Sequence, residues 1–224
     1  AYEVKIENGK AIALVFNDKT KTSIEIIADK IIMATPQFVN QYLFDDRKEF
    51  TKDFHYAPWL LATLVVSDLT DNFSFPLCWD NVAHGSKGLG YIYDQHQSLQ
   101  QIQDKKVITY YYSFSSDDLA NDRNQLLKKP VSYWKEMMIS DLKIAHPDIE
   151  DFIIDIEIYK IGHGMISPVP GFLKGQDLHV ASESIENKIY FAHSDLSGIS
   201  IFEEAFHQGI NVVNKIINDA TLDT

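Results

Sequence analysis

Only one cysteine, Cys78, stands in the chain, so no disulfide can close within it and no thiolate cluster can hold a metal. A lone thiol suits either redox compartment and reads here as core filler. Positive charge is also scarce: 20 Lys and Arg stand against 32 Asp and Glu, a formal net charge of −12. That balance argues against nucleic acid and anionic membrane as partners, because both select basic surfaces. The acidic residues are scattered, with only short clusters such as Asp45-Asp46 and Asp117-Asp118, so no acidic tail is implied. No apolar run approaches the roughly 20 residues that span a bilayer as a helix. The histidines never fall at H-E-x-x-H spacing and no G-x-S-x-G elbow occurs, which leaves a metal site and a serine nucleophile without support. The chain also lacks a dinucleotide-binding G-x-G-x-x-G turn. In the nearest match, Gly162-His-Gly164-Met-Ile-Ser167, serine replaces the third glycine, and Pro168 and Pro170 stand where a helix would continue. Gly88-Leu-Gly90 fails too, since strand residues follow it. No export leader is visible, and Ala1-Tyr2-Glu3-Val4 already reads as a strand. A chain that opens inside a strand, without Met, is expected to be a piece of a longer protein, and its compartment stays open.

What is present suits an ordinary globular fold. Apolar residues make up 45% and aromatic residues 12% of the 224, enough for one large domain or two small ones. Residues 2–7, 10–16, 22–28 and 29–34 read as strands, with Asn8-Gly9 a two-residue hairpin signal and Asn17-Asp18-Lys19 a second turn. Lys30 to Thr35 is nearly continuous in apolar residues, the pattern of a strand buried on both faces. Pro36 stands at a plausible first helical position, with a helix expected over Gln37–Phe44. In the middle, 59–68, 77–82, 88–93 and 106–114 read as strands. Helices are predicted over Asp117–Lys128, capped by Ser116, and over Val131–Ala145, with Pro130 near its start and Pro147 beyond its end. Phe152–Ile161 alternates as a half-buried strand should. Strands followed by helices predict an α+β fold rather than a repeating βαβ array. Trp79, Tyr91, Tyr93, Tyr110, Tyr111, Tyr112 and Trp134 read most simply as core and sheet-face residues.

The richest stretch is Ile185 to Gly209. A strand, Lys188–Ala192, runs into a polar turn, His193 to Gly198, and a long amphipathic helix is expected from near Ile199. A strand whose turn feeds a helix start suits an anionic or carbonyl-bearing ligand, because the first N–H groups of the helix lack partners within it. The segment Gly162-His-Gly-Met-Ile-Ser-Pro-Val-Pro-Gly-Phe172 reads as a stiff loop.

Three of these segments resemble parts of the FAD-dependent amine oxidoreductases. Residues 185–209 resemble that family's final flavin segment, "IYFAG(E/D)…SG…EGA…SG". Asp29-Lys-Ile-Ile-Met-Ala-Thr-Pro36 resembles its "AD-x-V-V-x-A-T-P" turn, and Gly162–Gly171 its "H-x-M-x-x-P-x-P-G" loop. The resemblance implies an α+β chain: a mixed-sheet substrate domain plus the C-terminal pieces of a Rossmann-like FAD-binding lobe. It divides the chain into partial FAD-lobe strands at 1–45, a substrate domain at 46–184, and the lobe's last strand and helix at 185–224. It further implies a small-molecule substrate and FAD as the cofactor of the full-length protein. Ala34, Thr35, Pro36, Ser194, Asp195, Ser200 and Ile201 are then the cofactor-binding candidates, with His163 and Met165 near substrate or flavin. No catalytic acid or base is implied, nor any metal. The family has Gly and an acid where this chain has His193 and Ser194. Ser194 therefore stands in for the acid, or the register shifts by one and Asp195 serves. An N-terminal FAD-binding segment is missing from the match, so these 224 residues alone are expected to be inactive and to retain little or no FAD. The alternatives are a desaturase-like or porphyrinogen-oxidising flavoenzyme, and a non-catalytic interaction module on the same scaffold.

Overall fold

The computed structural model describes residues 1–67, 78–94 and 105–222; Asp68 and Leu77, each expected at a strand end, lie outside the described residues. The chain divides into two compact units, one of residues 1–55 and 166–224, the other of residues 56–165.

The first unit opens with an antiparallel meander, β1 (Glu3–Glu7), β2 (Lys10–Asn17) and β3 (Thr22–Ala28). The hairpin at Asn8 and Gly9 has φ of 50° and 72°, the left-handed pair that a tight turn between twisted strands requires. At the next turn the Asn17 side chain accepts the N–H groups of Lys19 and Thr20. β4 (Ile31–Met33) leads into α1 (Gln37–Leu43). Pro36 is the residue before that helix, not its first member, because its ψ of 155° is still extended.

Among the described residues the second unit is a five-stranded sheet with helices packed on it. Its elements are β5 (Tyr56–Ser67), β6 (Asp80–Asn81), β7 (Gly90–Tyr93), β8 (Lys105–Ser113), α2 (Leu119–Lys128), α3 (Val131–Leu142), α4 (Ile149–Phe152) and β9 (Ile153–Ile166). The strand order is β6-β7-β8-β5-β9. Leu60, Ala62, Leu64 and Val66 alternate along β5 and are fully buried, packed in two clusters that include Trp134, Met138, Leu142 and Ile149.

Four expectations change here. The cap of α2 is Asp118, which accepts the N–H of Asn121, while Ser116 donates its hydroxyl to Asp122. Cys78 is exposed, not core filler: Asn81 grips its N–H and C=O in a tight turn that faces outward. Trp79 is 58% exposed rather than buried. β9 runs five residues past Ile161, so Gly162 to Ile166 belong to a strand and the loop starts at Ser167. The two glycines made that segment look like loop, and both serve close packing. A Cβ at 164 would sit 2.6 Å from Trp59 Cδ1, and one at 162 would sit 3.3 Å from Arg123, whose Nε donates to Gly162 O at 2.7 Å.

The chain returns to the first unit with α5 (Gln176–Ser182), β10 (Ile189–Phe191) and α6 (Phe202–Leu222). β10 pairs with β4 in parallel, so the two ends of the sequence meet in one sheet. Residues 46–55 and 166–184, placed with the middle from sequence, cluster with this unit: Phe54 meets Phe172 edge-on, and Arg47 donates to Ala181 O. β4 is not buried on both faces as its composition suggests. Ile32 is 43% exposed, because among the described residues β4 has a neighbour on one edge only.

Candidate functional site

The C-terminal ends of β4 and β10 lie side by side, with Met33 opposite Phe191 and the N–H of Ala192 donating to Met33 O at 3.0 Å. Ala34, Thr35 and Pro36 leave one strand while Ala192, His193 and Ser194 leave the other. Thus the first five cofactor candidates, Ala34 to Pro36 with Ser194 and Asp195, come together although about 160 residues part the two segments.

A buried polar joint fixes that meeting. Asp195 is 1% exposed, and its Oδ2 accepts the N–H of Gln37, at the start of α1, at 2.9 Å. Its own N–H donates to His193 Nδ1, and its carboxylate lies 3.1 Å from the same ring nitrogen. Asn40 Nδ2 donates to Thr35 O, which ties the turn after β4 to α1. Ser194 is buried at 8% exposure, and Leu196 packs beneath the turn. The turn closes at Gly198, with φ of 69° and its N–H on Asp195 O. Its positive φ favours glycine there, and a Cβ would also push the Leu173 side chain aside, with Cδ2 at 2.4 Å.

Ser200 and Ile201 lie beyond that turn, in the lead-in to α6, which begins at Phe202 and not near Ile199. The reason is local: the Ser200 hydroxyl accepts the N–H of Ile166, and Ile201 bonds back to Ile199 O, so the backbone enters the helix only afterwards. Ile199 and Ile201 are 44% and 48% exposed, and Glu203 and Glu204 occupy the first turn of α6, where the helix dipole favours negative charge.

His163 and Met165 are in the second unit, on β9. The His163 ring is half-buried edge-on to Tyr56, and burial, then the Arg123 guanidinium, pushes its pKa below the ordinary value. Met165 is 38% exposed.

One supporting residue was invisible in the sequence. Arg47, in the charged run Asp45-Asp46-Arg47-Lys48-Glu49, is 3% exposed and lies 3.3 Å from the centroid of the Phe191 ring. It donates to Ala181 O and Glu183 O at the end of α5 and to Gln37 Oε1. Burial pushes its pKa down to about 10. It thus braces β10 and the start of α1 from behind the joint. Among the described residues no group of His, Cys, Asp and Glu can hold a metal, and no helix is long and apolar enough to cross a membrane.

No family model matches the chain, and no curated protein matches it. Solved structures do. A cyclohexylamine oxidase from Brevibacterium oxydans IH-35A superposes with a TM-score of 0.70 at 9% identity, over 98% of this chain and 48% of that one. An oxidoreductase from Methanosarcina mazei superposes with a TM-score of 0.60 at 15% identity, over 96% of this chain and 48% of that one. The chain therefore shares its α+β fold with part of each oxidoreductase and spans about half their length.

Proposed function

We propose that the chain is the C-terminal portion of an FAD-dependent oxidoreductase of the amine oxidase type. The unit of residues 1–55 and 166–224 forms the flavin side, and residues 56–165 form the substrate domain for a small amine or related molecule. One observation carries the reading: two adjacent parallel strands end at a joint made by Asp195 and Gln37, and ligands in such sheets sit beyond the carboxyl ends of the strands.

The residues present fit one edge of a flavin. Ala34, Thr35 and Pro36 line it from β4 and Ser194 from β10. The backbone around Ser200 and Ile201 turns the start of α6 towards a carbonyl or anionic group. Asp195 acts as a positioning residue, because its carboxylate accepts the Gln37 N–H and its own N–H donates to His193 Nδ1. When bound, FAD supplies the hydride acceptor for oxidation of a carbon–nitrogen bond. The chain's own residues orient the cofactor, hold the two strand ends together and shield the site from water. His163 and Met165 are the substrate-side candidates. A glycine-rich pyrophosphate turn is absent from these 224 residues, so retention of FAD by them alone is expected to be slight.

His193 and Ser194, where the resembled family has Gly and an acid, together with the inward engagement of Asp195, favour a non-catalytic module on the same scaffold. Anaerobic mixing of the complete gene product with a panel of primary and secondary amines separates the two. Bleaching of the flavin absorbance by any amine supports the oxidoreductase, and a colourless protein indifferent to all of them supports the module.

A further inference from the structure

β10 has one open hydrogen-bonding position on the edge away from β4. In a parallel ladder successive residues turn their N–H and C=O to alternate edges. The N–H of Ile31 donates to Lys188 O and the N–H of Ala192 to Met33 O, so Lys188, Tyr190 and Ala192 bond β4 while Ile189 and Phe191 face away. Ile189 is satisfied there, because it exchanges both bonds with Ile185, at 2.9 and 3.1 Å. Two residues beyond Phe191 the turn begins, and His193 O accepts the N–H of Leu196. Between these two points, among the described residues, no strand lies along the edge and no hydrogen bond there reaches the N–H or C=O of Phe191. Phe191 is 3% exposed, and buried backbone polar groups are nearly always paired.

A cavity of about 480 Å³ lies against that edge, a volume within the roughly 300–1,000 Å³ of small-molecule sites. Tyr190 and Phe191 both line it, although successive side chains of a strand point to opposite faces. The cavity therefore meets β10 along its edge, where the free groups of Phe191 point. Leu178 and Ser182, one turn apart on α5, form one wall, and Gln208, Asn211, Val212 and Lys215, on one face of α6, form another. None of the cofactor-binding candidates lines it.

The charge around this cavity is the reverse of the chain's. Asp and Glu outnumber Lys and Arg by 32 to 20, yet Lys174, His179 and Lys215 line it and, among the described residues, no Asp or Glu does. Glu183 lies 3.6 Å from His179 Nε2, while among the described residues neither lysine has an acidic partner. The interior is apolar: Tyr190, Leu196 and Val212 are at most 6% exposed.

We propose that this cavity binds a small amphipathic acid of the N-acylated amino acid class. Its carboxylate faces the ammonium groups of Lys174 and Lys215, and its apolar body rests on Tyr190, Leu196 and Val212. Its amide pairs with Phe191, since the N–H and C=O that one residue turns to the same edge are matched by the C=O and N–H of one further extended residue. A longer peptide strand fits less well, because Ile185 on one side and the turn at His193 on the other leave a single residue of edge open. The site stands on this edge and these cations, independently of the flavin reading.

The test titrates the complete gene product with N-acetyl-L-phenylalanine, followed by calorimetry and by residue-resolved hydrogen exchange. Saturable one-to-one binding is expected, with slowed exchange at the Phe191 amide. N-acetyl-L-phenylalaninamide, which lacks the charge, and 3-phenylpropionate, which lacks the amide, are each expected to bind roughly tenfold more weakly or worse. Lys215→Gln is expected to weaken the acid by a similar factor and to leave the uncharged probe unchanged. Asn211→Trp, which fills the cavity, is expected to abolish binding of all three, and Lys128→Gln, exposed on α2, to alter none. Unaltered far-UV circular dichroism shows that the variants fold. No saturable binding of the acid, equal affinity for the three probes, unchanged exchange at Phe191, or binding indifferent to both Lys215→Gln and Asn211→Trp, as a site elsewhere on the protein would give, would each overturn the proposal.

Discussion

The carboxylate of Asp195 accepts the backbone N–H of Gln37 at 2.9 Å, across 158 positions of sequence. Both residues are essentially buried, at 1% and 0% exposure, so the bond is shielded from water at the point where the two parallel strands end.

Removing it leaves a buried N–H without a partner, which costs about 1–3 kcal/mol. Asp195→Ala is expected to lose that much stability in urea unfolding, and Asp195→Asn less, since an amide oxygen can still accept. An Asp195→Ala midpoint equal to wild type would show that the joint contributes nothing.

Gly164 is expected to resist enlargement. Gly164→Ala drives a methyl against the Trp59 ring, where the Cβ position is 2.6 Å from Cδ1, and overpacking of this kind costs about 1–3 kcal/mol. Gly162→Ala, which meets the movable Arg123 side chain at 3.3 Å, is expected to cost less. Urea midpoints give the order, and Trp59 fluorescence reports the displaced ring. Equal midpoints for the two variants contradict the close packing.

The second unit is expected to weaken in mild acid. His146 is 4% exposed beside the Tyr91 hydroxyl, and burial pushes its pKa below the ordinary value. As pH falls through about 6.5 the unfolded chain takes up that proton first, so stability drops until the folded imidazole titrates too. His163, pushed down by burial and then by Arg123, adds to the same window. The urea midpoint is therefore expected to fall between about pH 7.5 and pH 5.5, and His146→Gln to flatten the slope. A midpoint that holds or rises on acidification contradicts this.

Short-range chemistry was legible in the sequence. Asn8-Gly9 forms its turn because two adjacent residues suffice to specify it, and the strands on either side follow from alternation. The meeting of β4 and β10 was legible through the resemblance of both segments to one flavin lobe. What escaped depends on partners distant in sequence. Ser116 and Asp118 are both plausible caps, and Asp122 decides between them by taking the Ser116 hydroxyl. Gly162 and Gly164 read as loop because the Arg123 and Trp59 side chains that require them lie far off in the chain. Arg47 looks solvated within its charged run; only Phe191 and the carbonyls of Ala181 and Glu183 bury it. In the candidate site, the polar turn His193-Ser194-Asp195 could be read, but not that Asp195 faces inward to Gln37.

The most direct measurement is an equilibrium titration of the complete gene product with FAD, alongside Ser194→Ala, Ser200→Ala and Ser200→Pro. If the ends of β4 and β10 and the start of α6 face the flavin, wild type is expected to bind FAD stoichiometrically. Ser194→Ala then weakens binding by about 1–3 kcal/mol, the cost of a buried partner left unpaired, and Ser200→Pro weakens it more than Ser200→Ala does, because both lose the hydroxyl that accepts the Ile166 N–H but only proline loses the backbone N–H. Wild type that binds no FAD, or all three variants titrating as wild type does, would contradict the flavin site.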